Sequence, residues 1–300
     1  MRNNFSKYLV RKAEKDNNIF IVVADISPAG KMEDFQKKFK DRFINVGVSE
    51  QSMIGLCSGL AASGKKPFAY TIATFSLYRP FEMVRDDLCY QNLPVTVVGM
   101  GAGTVYSTLG GTHLTQEDIS IARSIPNMQV LVPCDPLELE KCIDYCIQNK
   151  KGPVYLRIGK SGEAIFTDKS KEKFIFGKLR NISKGSDVCI VCSGPIIKLA
   201  FELKKRFKNL SIYSAHTLKP FDYKQINKLE NKYKKIITIE DHSEIGGLAS
   251  IFRENIINKK KLFNFSLKDK FIHNYGDQNN LLRLHGISVQ KIERVLNERN

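Results

Sequence analysis

Short runs of β-branched and other apolar residues alternate with longer amphipathic segments along the whole chain. Ile19–Ala24, Pro94–Val98, Met128–Val132 and Pro153–Arg157 have the length and composition of buried strands. Phe5–Glu14, Glu50–Ala62, Phe81–Gln91, Gln116–Arg123 and Pro136–Gln148 carry helical periodicity. Strands that alternate with helices predict a parallel, doubly wound sheet. The lysine-rich stretch Asp168–Lys173 interrupts the pattern. Beyond it come strands at Asp187–Cys192, Leu210–Tyr213 and Lys235–Ile239, and helices at Pro195–Phe207, Asp222–Leu229 and Ile245–Ile257. The expected architecture is α/β in two domains, 1–175 and 186–300, each a mostly parallel sheet flanked by helices. Their boundary falls between Ser170 and Gly185.

Composition narrows the class. With 42% hydrophobic and 26% charged residues the chain can bury a core and is not of disordered type. No apolar stretch is long enough to span a bilayer and Met1-Arg-Asn-Asn-Phe is not a leader, so the expected location is the cytoplasm. Seven cysteines without regular spacing suit reduced thiols. Cys189 and Cys192 sit in an expected strand, where residues i and i+3 face opposite ways, so they read as core filling. The net charge of +16 is spread over solvated helical faces such as Lys204–Lys208 and Lys259–Lys261. It comes without any recognition-helix, zinc-finger or RNA-binding pattern, which points away from nucleic acid and toward a mild attraction for anionic substrates.

Three local features carry candidate chemistry. Glu50 stands at the start of an apolar, small-residue helix in Gly47-Val-Ser-Glu50-Gln; a capping role is the bland explanation. The aromatic run Thr74-Phe75-Ser-Leu-Tyr78-Arg-Pro-Phe81 follows, and then Gly110-Gly-Thr-His113, a glycine turn that presents a histidine. Aromatics at i, i+3 and i+6 also suit the core face of a helix, and Asp25 at a strand end also suits an ordinary loop cap.

On these residues, segment 11–160 resembles the pyrimidine-binding domain of thiamine-diphosphate enzymes of the transketolase and deoxyxylulose-phosphate synthase group. Ile236-Ile-Thr-Ile-Glu-Asp-His-Ser-Glu-Ile-Gly-Gly-Leu248 resembles their C-terminal domain. The resemblance covers nearly the whole chain and omits the family's diphosphate-binding domain, so it is to the C-terminal subunit of a split transketolase. It implies that Glu50 exchanges a proton with the cofactor's aminopyrimidine nitrogen, a task only an acid can perform. It places Phe75, Tyr78 and Phe81 around the pyrimidine ring, where stacking adds roughly 0.5 to 1.5 kcal/mol beyond burial, and Asp25 beside the cofactor. It also implies that His113 handles protons on the substrate hydroxyl, and that Arg11, Arg157 and Lys160 remain for substrate anions.

Departures from the family pattern bear on the substrate. A histidine aimed at the sugar phosphate and an aspartate that reads hydroxyl stereochemistry are replaced here by Gly101 and Leu109, and a phosphate-site serine by Ala29. The family's magnesium segment is missing as well. Gly276-Asp-Gln-Asn279 lacks the second glycine and the downstream asparagine, and reads as a C-terminal loop. The implied cofactors are thiamine diphosphate and Mg²⁺, with the metal ligands on an N-terminal partner subunit in an α2β2 heterotetramer. The implied reaction moves a two-carbon ketol unit from a ketose to an aldose acceptor, in specialised sugar or surface-glycan synthesis. A synthase-like subunit, a 2-oxoacid dehydrogenase β-like subunit and an inactive regulatory paralogue are the alternatives.

Overall fold

The computed structural model describes residues 1–26, 30–168 and 174–298; the expectations placed on Ala29 and Lys169–Lys173 lie outside them. The first half of the chain runs α1 (Arg2–Ala13), β1 (Ile19–Val23), α2 (Glu33–Lys38), β2 (Phe43–Asn45), α3 (Glu50–Ala62), β3 (Lys66–Ile72), α4 (Ala73–Leu77) and α5 (Phe81–Met83). It continues through β4 (Thr96–Met100), α6 (Asp118–Ser124), β5 (Gln129–Leu131), α7 (Pro136–Gln148) and β6 (Val154–Ile158). The second half is β7 (Arg180–Ser183), β8 (Val188–Ser193), α8 (Lys198–Arg206), β9 (Leu210–Ser214), β10 (Thr217–Lys219), α9 (Lys224–Lys232), β11 (Lys235–Ser243), α10 (Leu248–Asn255), β12 (Leu262–Leu267), α11 (Gln278–Leu284) and α12 (Val289–Asn297).

These elements build a seven-stranded sheet, β10-β5-β6-β4-β3-β1-β2, and a five-stranded sheet, β12-β11-β8-β9-β7. Both are parallel except at β10 and β7, which pair antiparallel at an edge of each. Strand periodicity sorts the core into layers. Ile19, Ile21 and Val23 of β1 point toward Phe5 and Leu9 of α1 and Leu139 and Ile143 of α7. Val22 points the other way, toward Met53, Ile54 and Cys57 of α3. The same rule separates Cys189, which packs with α10, from Cys192, which packs with α8; all seven cysteines are buried and free.

The expected two-sheet plan holds, but the two halves interlock. β10 belongs to the second half of the chain and pairs with β5 of the first sheet, through Thr217 opposite Leu131 and Lys219 opposite Val130. One apolar layer also runs from Val97 and Val130 through Leu218 and Phe221 to Val191 and Phe252 without a break. Two smaller expectations change. The helix expected over Phe81–Gln91 begins as a short α-helix and widens into a π-helical stretch, Val84–Tyr90. Gly276-Asp-Gln-Asn279 is not a loop: Asp277 caps α11, accepting from the Asn280 amide at 3.1 Å.

Candidate active site

In a parallel sheet the chain leaves every strand at the same edge, and that edge is where side chains from separate elements can converge. Strands β6, β4, β3, β1 and β2 are consecutive neighbours. Lys160 therefore follows β6, the 101–116 loop follows β4, Phe75 follows β3, Asp25 follows β1, and the turn into Glu50 follows β2.

Glu50 is 4% exposed at the first position of α3. It does not cap the helix. Both its oxygens accept from a single nitrogen of Arg79, at 3.0 and 3.1 Å. The Arg79 guanidinium also lies over the Phe75 ring, 4.1 Å from its centroid. His113 also meets Phe75, edge to face at 5.4 Å, with its Nδ1 2.9 Å from Thr112 Oγ1. Tyr106 adjoins His113 at 6.2 Å, and the Lys160 ammonium lies 4.8 Å from the Tyr106 ring. Glu50, Arg79, Phe75, His113, Tyr106 and Lys160 thus form one continuous series.

The loop that carries His113 is held from several sides. Gly103 and Thr115 pair through both backbone bonds, at 3.1 and 3.0 Å, and Thr115 Oγ1 meets Thr74 Oγ1 at 2.8 Å, which fixes α4 and Phe75 against the loop. The second half of the chain supplies the rest. The Thr104 amide donates to Asp241 at 3.0 Å, the Thr104 hydroxyl at 3.0 Å and Gln278 at 3.1 Å. Burial pushes the Asp241 carboxyl upward, against the pull of Arg157 and of these donors. At Gly103, whose φ is +75°, a Cβ would stand 2.5 Å from the Asp241 carboxylate, so only glycine allows the approach.

Several expected site residues do not join this series. Arg11 is near the opposite edge: α1 starts at the carboxyl edge, with the Arg2 amide on Lys160 O at 3.1 Å, and Arg11 lies about 13 Å further along its axis. There it faces Glu140 at 3.5 Å. Arg157 is 4% exposed and paired with Asp118 at 2.7 Å and the Asp241 carbonyl at 2.9 Å, so it joins the two halves of the chain and is committed to internal partners. Tyr78 is turned toward the start of α6, its partly buried side chain donating to Glu117 at 2.7 Å. Phe81 is 39% exposed at the start of α5, and no ring contact joins it to Phe75 among the described residues. Asp25 is exposed at positive φ, its amide bonded to Asn45 Oδ1 at 3.2 Å.

Two participants carry little or no signal in the sequence. Arg79 is hidden inside an aromatic run whose rings dominate the pattern, although a cation four residues after Phe75 on a helical turn is placed to reach back over it. Tyr106 has no signal, since only the folding of the 101–116 loop brings it under Gly101. That contact also explains Gly101 itself: at φ +72° a side chain there would run into the Tyr106 ring. Leu109 sits 48% exposed on the same loop. Among the described residues, no group of three or more His, Cys, Asp or Glu is placed to hold a metal ion, and no helix is long and apolar enough to cross a membrane.

Residues 1–162 match the family model of the transketolase pyrimidine-binding domain and residues 177–292 that of the transketolase C-terminal domain. A putative transketolase C-terminal section from Methanocaldococcus jannaschii is 33% identical over 99% of this chain and 96% of its own length. One of the subunits of an apulose-4-phosphate transketolase from Phocaeicola vulgatus is 30% identical over 85% of this chain and 83% of that protein. A solved split-gene transketolase, in an inactive beta4 tetramer, superposes with a TM-score of 0.87 at 30% identity over 98% of this chain and 96% of its own. The chain belongs to the transketolase family and corresponds to its pyrimidine-binding and C-terminal domains.

Proposed function

We propose that this chain is the pyrimidine-binding subunit of a two-chain, thiamine-diphosphate-dependent transketolase, active with an N-terminal subunit that brings the diphosphate and Mg²⁺ site, in an α2β2 assembly of the cytoplasm. The observation that carries the reading is the arrangement of Glu50, Arg79 and Phe75. A flat, cationic, hydrogen-bonding group is held between a nearly buried carboxylate and an aromatic face. That is the chemistry an aminopyrimidine ring requires, so the residues fit the group, with the Arg79 guanidinium standing in its place.

When bound, the cofactor supplies the nucleophilic carbon and the electron sink for breaking and making the carbon–carbon bond. Glu50 holds a proton at the aminopyrimidine nitrogen. Phe75 orients the ring by stacking. His113, beside Phe75 and steadied by Thr112, moves a proton at the substrate hydroxyl, while Lys160 attracts the substrate's negative charge. Arg79 swings aside, as its half-exposed side chain permits.

Substrate choice follows from the loop. With Tyr106 filling the space beside Gly101, and Leu109 at the exposed rim, the site lacks a charged reader at either position. The acceptor is then an unusual or modified aldose. The test is calorimetric. The purified chain alone should bind thiamine diphosphate weakly whatever the magnesium concentration, and co-purified partner should confer Mg²⁺-dependent binding that Glu50→Gln weakens. Tight Mg²⁺-dependent binding by the isolated chain would overturn the split-subunit reading.

A further inference from the structure

The neighbouring strands β8 and β11 send their following helices to opposite faces of the second sheet. Leu199, Ala200 and Leu203 of α8 pack with Ile190 and Cys192, whereas Leu248, Ile251 and Phe252 of α10 pack with Cys189 and Val191. Divergence of this kind opens a crevice at the carboxyl ends of the two strands, the place where open α/β sheets hold ligands. Here segment 158–164 and residues Ala102 and Val105 of the first half close the other side, leaving a cleft of about 440 Å³, the size of a small-molecule site.

Its chemistry is that of an oxyanion site. Ser193, the last residue of β8, lines the cleft and is 2% exposed, and its hydroxyl has no hydrogen-bond partner among the described residues. A buried donor left unmade is costly, and a ligand at this point would satisfy it. Lys198 and Lys205 line the same cleft from one face of α8, two turns apart. Among the described residues Lys198 reaches only the neutral Asn279, at 3.2 Å, and Lys205 forms no ion pair. Two of the three carboxylates on the lining are already engaged, Glu163 with the chain's amino terminus and Asp241 with Thr104 and Gln278; Glu202, exposed like Lys205, lines the cleft between the two lysines of α8 in sequence, so the lining carries one carboxylate against Lys198, Lys205 and Lys160. Phe166 and Phe201, stacked at 4.2 Å, and Ile196 give an apolar floor.

We propose that this cleft between the two halves of the chain binds a small organic phosphate or carboxylate, its oxyanion held by Ser193, Lys198 and Lys205 and its carbon skeleton lying on Phe166 and Phe201. The site goes beyond the transketolase reading: Glu50, Phe75 and His113 are not part of its lining, and Lys160 alone is common to both. The full chain should be titrated calorimetrically with inorganic phosphate and, separately, with malonate, at an ionic strength kept constant with sodium chloride. Saturable binding of at least one is expected, and the stronger of the two identifies the head group. Lys198→Gln and Lys205→Gln should each weaken it roughly ten- to a hundredfold, Ser193→Ala should weaken it severalfold, and Glu50→Gln should leave it unchanged. No saturable binding of either ion, binding indifferent to both lysine variants, or binding abolished by Glu50→Gln would overturn the proposal.

Discussion

Replacing Arg79 tests the arrangement of the candidate site most directly. In the structure its guanidinium satisfies both oxygens of a carboxylate that is 4% exposed, while its own side chain is 48% exposed. The exposure of one partner limits the pair to the upper range of surface ion pairs, and the burial of the other raises it somewhat. The contact with Phe75 is worth roughly 0.5 to 1 kcal/mol at such a site and cancels from a cycle that pairs Arg79 with Glu50. A double-mutant cycle of Arg79→Met and Glu50→Gln, measured by urea unfolding, should therefore give a coupling energy of about 1 kcal/mol. The same contact competes with any ring that seeks Glu50 and Phe75. Releasing about 1 kcal/mol of competition should make Arg79→Ala bind thiamine roughly fivefold more tightly than wild type, read by calorimetry or ligand-observed NMR. A coupling energy below about 0.3 kcal/mol, or weaker thiamine binding by Arg79→Ala, would refute the reasoning, because Arg79 would then neither hold Glu50 nor occupy the ring's place.

Three other outcomes follow from particular contacts. Gly103→Ala should destabilise the fold clearly more than Gly64→Ala in thermal melts: both glycines have positive φ, but only the Gly103 Cβ would meet Asp241, at 2.5 Å. His216 is fully buried, and burial lowers its pKa from 6.5 to about 4. The unfolded chain thus takes up a proton first as pH falls, so the stability this residue carries is complete above pH 6.5 and lost by pH 4. Wild type should lose about 3 kcal/mol relative to His216→Gln across that window in urea titrations at stepped pH. In the reconstituted enzyme, ribose 5-phosphate should be a poorer acceptor than at least one modified aldose in a coupled assay; ribose 5-phosphate as the best acceptor would show that Gly101 and Leu109 do not set specificity.

Much of this protein could be read along the chain. The strands at Ile19, Val188 and Lys235 and the helices at Glu50 and Pro136 were legible because apolar periodicity is local and each element buries one face. Glu50, Phe75 and His113 were legible because a charge on an apolar helix, a ring after a strand and a histidine after two glycines are each out of place for core or surface. What the sequence could not convey was which of these side chains meet. Arg11 and Arg157 looked alike as cations near the site. The direction of α1 carried the first toward the far edge, and burial against Asp118 committed the second. Tyr78 was indistinguishable from Phe75 until Glu117 claimed its hydroxyl. The exchange of β10 between the two halves, the hold of Asp241 on Thr104 and the approach of Tyr106 to Gly101 all join residues far apart in sequence or folded inside one loop. Periodicity reports the face a residue turns inward; its partner there is decided only when separate elements pack, and in this chain that packing placed Arg79 between Glu50 and Phe75.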